Sequence, residues 1–137
     1  VRIAQGYYLK ANGEYAGNFD DLIKSIKNDL ITEVIIKGNP DDTTIVTTYD
    51  TVKYYIKDDI QLLATANFDS LRRVPFTGEE FDLQAAILKL QRVEVPVYEL
   101  LAPKQKYLKG LKQEYWDLKD DLVMGSIYEA TDKGNWE

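Results

Sequence analysis

The spacing of the apolar residues changes near Leu30, and that change sets the fold class. Before it, Ala4, Tyr7, Tyr8, Ala11 and Tyr15 recur every three or four residues, which predicts an amphipathic helix. Asn12-Gly13 ends this helix, because either residue accepts the left-handed conformation of a helix stop. A second short helix follows: Asn18 caps it, Asp20 and Asp21 suit its positive N-terminus, and Phe19, Leu22, Ile23 and Ile26 form its apolar stripe. After Leu30 the chain turns β-branched. Ile31–Lys37 reads as a strand ending at the turn cluster Gly38–Asp42.

Thr43 to Lys57 reads as two short strands or one bent strand, with Thr44–Tyr49 the expected hairpin partner of Ile31–Lys37. Ile60 to Ala66 fits a helical turn or a strand, and Asp69–Phe76 an extended segment that ends at Thr77-Gly78. Phe81, Leu83, Ala85 and Ile87 alternate as a strand does, and Val93–Leu100 supplies a second, with the turn near Gln91-Arg92. Pro96 belongs on an edge or at a bulge, since it has no N–H to donate. Pro103 suits a first helical turn, and Leu108, Leu111, Tyr115 and Leu118 form the stripe of a C-terminal helix. The expected fold is therefore α+β. An N-terminal and a C-terminal helix pack on an antiparallel sheet of about four to six strands, in one domain spanning residues 1–137.

Composition narrows the chemistry. The chain has no cysteine and no histidine, which argues against disulfides, thiolate–zinc sites, thiol nucleophiles and imidazole-based triads. With 17 basic against 23 acidic residues the net charge is −6, and such a domain has no electrostatic reason to bind nucleic acid. There is no glycine-rich phosphate loop and no nucleophile elbow. No catalytic, cofactor-binding or metal-ligating residue is assigned, and no cofactor is expected.

Four Asp doublets, Asp20-Asp21, Asp41-Asp42, Asp58-Asp59 and Asp120-Asp121, suit helix capping and turns. Neighbouring side chains point different ways, so a doublet is not itself a site. Gly38–Asp42 and Asp132–Asn135 are the two stretches where calcium merits a test. Lys104, Lys106, Tyr107, Lys109 and Lys112 read as a solvated helix face, with contact to acidic lipid or glycan as the functional alternative. Trp116 and Trp136 are expected in a core or lid role, with sugar stacking as the alternative.

Ile3–Ala16, with its Ala4-Gln5, Tyr7-Tyr8 and Asn12-Gly13-Glu14-Tyr15, followed by Phe19–Leu22, resembles the segment after the membrane helix of type IV pilins and pseudopilins. It has Ala16 where pilins often carry proline. A broader likeness runs through Phe19–Ile23, Asp69–Phe76, Val95–Glu99, Tyr107–Leu111, Gly125–Ile127 and Gly134–Glu137. These stretches are similar to uncharacterised envelope proteins of Bacteroides-type bacteria. The resemblance implies a pilin-like topology and a membrane helix ahead of Val1, with this domain displayed outside the cytoplasm. It brings no activity and no functional residues. The helical pattern already running at Val1 agrees with a truncated first helix.

The expected function is a non-enzymatic structural or assembly module of the cell envelope, tethered to the membrane and partnered by itself or another envelope protein. The alternatives are a small-ligand or glycan-binding domain near Trp116 or Trp136, and a hydrolase that uses paired carboxylates in a cleft.

Overall fold

A computed structural model describes residues 1–39, 41–60, 67–75, 77–112 and 120–135. It has the expected α+β character. Helix α1 (Arg2–Asn12) and helix α2 (Phe19–Asn28) precede strands β1 (Leu30–Lys37) and β2 (Thr48–Tyr55). The short turn of helix α3 (Ile56–Asp59), a 3-10 turn at Phe68–Arg72, strands β3 (Asp82–Leu90) and β4 (Val93–Ala102), the single helical turn α4 (Lys104–Tyr107) and strand β5 (Leu122–Gly125) follow.

The local signals act where they were expected. Gly13 closes α1 at φ 79°, and its N–H reaches the Leu9 carbonyl at 2.8 Å. Asn18 caps α2 by accepting from the Asp21 N–H at 2.8 Å, and Phe19, Leu22, Ile23 and Ile26 turn inward. Helix α1 is fastened to the segment just ahead of α2 by a polar contact that helical periodicity does not reveal. Gln5 is fully buried; its Nε2 donates to the Ala16 carbonyl and its Oε1 accepts from the Ala16 N–H, each at 2.9 Å. One side chain thus satisfies both backbone groups of a buried residue, in the way a neighbouring strand would.

The strands form two antiparallel sheets rather than the one expected, β1-β2 and β3-β4-β5. The β3–β4 turn falls at Gln91-Arg92, with Leu90 opposite Val93, and Gln91 adopts φ 56° to make it. Pro96 stands opposite Ile87 on β4, beyond the last residue paired with β5, Glu99. There the strand has one open side, which is where a residue without an N–H is tolerated. Gly125 ends β5 at φ 77°, and a Cβ on it would lie 2.2 Å from the Tyr98 carbonyl oxygen. Only glycine allows β5 to approach β4 so closely.

Tyr98 and Leu100 of β4 and Met124 of β5 point to one side and meet Ala4, Phe19, Leu22, Ile23 and Ile26 from the helices. Ile31, Ile56 and Ile60 join them from the foot of the other hairpin. Three expectations change. The partner of β1 is Thr48–Tyr55, not Thr44–Tyr49, because the loop from Gly38 to Thr47 is longer than the turn cluster alone. Asp69–Phe76 opens as the 3-10 turn and then makes an isolated bridge, Arg73 with Glu80, instead of one extended run. Of the expected C-terminal helix, the described residues show α4 alone, with Leu108 and Leu111 in the turn that follows it; Tyr115 and Leu118 lie outside the described residues, as does Gln61–Ala66.

Candidate interaction surface

Hairpin β1–β2 has an unusual distribution of apolar residues. Ile31 is 2% exposed, yet Val34, Ile36 and Tyr49 are 60%, 52% and 62% exposed. The register explains how this arises. Leu30 faces Tyr55, Val34 faces Thr51 and Ile36 faces Tyr49 on one side of the ribbon. Ile31 with Tyr54, Glu33 with Val52, and Ile35 with Asp50 occupy the other. Only the first pair on this second side reaches the core. Beyond it both faces are bare, and Ile35 is 45% exposed.

The foot of the hairpin is fastened to α1 and α3 by polar groups. Lys10 pairs with Glu33 at 3.2 Å, and the Tyr54 hydroxyl donates to the same carboxylate at 2.9 Å. The Tyr7 hydroxyl donates to Asp59. The Asp59 carboxylate pushes Tyr7 from its ordinary 10.0 up to about 12, and burial together with Glu33 pushes Tyr54 up to about 12. Hydrogen bonds from Tyr54 and Lys10 hold Glu33 below the usual carboxylate range. Farther out, Lys37 pairs with Asp50 at 3.3 Å. These contacts fix where the ribbon stands without covering it.

Of the carboxylates singled out in the sequence, those of Asp20, Asp21, Asp42, Asp59 and Asp121 are engaged in local structure. Asp20 is bound by Arg72, and Asp21 accepts from the cap Asn18. Asp42 accepts from the Thr44 N–H and hydroxyl, which lower its pKa. Asp121 accepts from the Lys104 N–H at 2.8 Å, and the Asp120 carbonyl accepts from Tyr107. Among the described residues no group of three or more carboxylates is arranged to hold a metal ion, and this includes the described parts of Gly38–Asp42 and Asp132–Asn135.

A groove of about 390 Å³ is lined by Asp20, Arg72, Glu80 and Asp82. Arg72 meets Asp20 and Glu80, and Lys106 meets Asp82 at 2.9 Å. The groove is therefore a set of ion pairs that ties α2 to the start of β3. The same contacts account for half of the expected basic patch, since Lys109 also binds Glu79. A second groove, of about 360 Å³, runs beside the open side of β4, between Tyr15, Pro96, Tyr98 and Asp132. The Tyr15 and Tyr98 rings meet there at a tilt of 57°, with centroids 4.7 Å apart. Trp116 and Trp136 lie outside the described residues.

No family model, no curated protein and no solved structure matches the chain. No helix among the described residues is long and apolar enough to cross a membrane.

Proposed function

We propose that this chain is a non-enzymatic structural or assembly module, displayed at the cell envelope, whose working surface is hairpin β1–β2. The observation that carries the reading is the hairpin itself. Its outer part presents Val34, Ile35, Ile36 and Tyr49 to solvent from a polar, well-fastened foot. An exposed apolar patch of this kind, framed by charged residues, is the ordinary mark of a protein-contact surface. The tether ahead of Val1 and the envelope setting rest on the resemblance to pilins and to Bacteroides-type envelope proteins.

The test uses the full-length protein. Crosslinking in cells is expected to yield oligomers, and detergent-solubilised protein to run larger than a monomer. A protein that is monomeric in detergent and gives no crosslinks in cells would overturn the assembly reading.

A further inference from the structure

We infer that the free edge of β1 pairs with the same edge of a second copy of this chain, antiparallel, about a two-fold axis at Ile35. Among the described residues β1 is hydrogen-bonded to β2 alone, so no described strand lies along its other side. A two-stranded ribbon is marginal in water, and a third or fourth strand is the usual remedy. α1 reaches β1 at Glu33 through Lys10, and the stretch from Val34 to Lys37 is exposed.

The sequence of that edge is complementary to itself. A two-fold axis perpendicular to the sheet keeps each side chain on its own face, so the two copies can be centred on any one residue of the strand. Centred on Ile35, Glu33 lies opposite the second copy's Lys37, Val34 opposite its Ile36, and Ile35 opposite itself. Every facing pair is then either apolar with apolar or acid with base, and these are the combinations that stabilise neighbouring strands. Moving the centre to Val34 sets Glu33 against Ile35 and Thr32 against Ile36. Moving it to Ile36 sets Lys37 against Ile35 and leaves Glu33 beyond the strand end. Charges on an edge strand ordinarily discourage pairing. Here the two are of opposite sign and equidistant from Ile35, and each keeps an exposed side beside its own partner. The Glu33 side chain is 45% exposed next to Lys10, and that of Lys37 is 68% exposed next to Asp50. Each can therefore take a second charge across the edge, and together they favour one register. The product is a continuous four-stranded sheet across two molecules.

This deepens the assembly reading by naming its surface and its partner, and it rests on that reading only for its use in the cell. The 137-residue chain tests it without any tether. In sedimentation equilibrium the mass is expected to rise towards twice that of the monomer between about 10 μM and 1 mM, as suits an interface below standard size. Glu33→Lys alone and Lys37→Glu alone each set like charges face to face, and each is expected to weaken association about tenfold or more. An equimolar mixture of the two variants restores both opposite-charge pairs in the heterodimer, and is expected to associate within about threefold of wild type. Misfolding cannot produce that rescue. A wild-type chain that stays monomeric, single variants that associate like wild type, or a mixture no better than its components would each overturn the pairing. None of these results touches assembly through a membrane segment, which the full-length experiment reads separately.

Discussion

Hairpins β1–β2 and β3–β4 are written in similar residues and end in opposite circumstances. The second gains β5 as a third strand and lays Tyr98 and Leu100 under the two helices. The first keeps a single buried residue on β1, Ile31, and sends the rest of the strand into solvent. The difference lies in what each meets after it turns. The second half of β4 is met by β5 at Glu99–Ala102 and by the helices at Tyr98 and Leu100, whereas among the described residues the helices reach β1–β2 only near its foot. Apolar content makes a strand; what faces the strand decides whether it becomes core or surface.

That contrast can be broken most forcefully at Gly125. Gly125→Ala places a methyl group against the Tyr98 carbonyl at a backbone angle that disfavours side chains. The expected loss is about 4 kcal/mol in urea unfolding, with β5 released from β4. Hydrogen exchange should rise along Glu99–Ala102 and stay unchanged in the outer part of β1. An equal loss of protection in both sheets would show that the two hairpins unfold as one unit.

The same truncation at matched positions sharpens the comparison. Leu100→Ala removes a core side chain that is 2% exposed and is expected to cost about 3 kcal/mol. Val34→Ala removes one that is 60% exposed and is expected to change stability by less than about 0.5 kcal/mol in dilute solution. Comparable losses at the two sites would mean that the β1–β2 face is covered in the isolated molecule.

The smallest effect is confined to the foot of the hairpin. Tyr7 and Tyr54 have folded pKa values raised to about 12 from 10.0, so the stability they contribute is complete below about pH 10 and is lost as pH rises through about 12. Glu33 has the opposite sign: its contribution holds above the usual carboxylate range and fades as pH falls through its lowered value. Tyrosinate absorbance should show a late-titrating class that shrinks in Tyr7→Phe and again in Tyr54→Phe. Ordinary titration of both near 10 would mean that the contacts to Asp59 and Glu33 do not persist in solution.

Much of this architecture is legible in the sequence. Gly13, Asn18 and the stripe of α2 act within a few residues of themselves, and the Gln91-Arg92 turn follows from the alternation on either side of it. The pairing of β1 with Thr48–Tyr55 was not legible. Thr43 to Lys57 is β-prone throughout, and its register is set by a distant constraint, the seating of Ile31 against the helices. The division into two sheets was hidden for the same reason, since periodicity marks a strand and not its neighbour. Gln5 was missed because an amide on a helix reads as a solvent-facing residue unless its partner, Ala16, is known to be buried. For the interaction surface, the sequence shows the apolar strand and its flanking charges. Its exposure follows from there being no third strand beside it among the described residues, which no local pattern encodes.

The Gln5–Ala16 contact also has a mechanical consequence. The amide sits in the first half of α1 and grips the backbone just ahead of α2, so α1 is held to that segment directly and not only through the Gly13–Tyr15 bend. A load applied to the first turn of α1 is carried across those paired bonds in parallel, into Ala16 and on to Phe19 and the sheet. The load path bypasses the Gly13–Tyr15 bend. The helix therefore transmits force to the domain without first being peeled away from it.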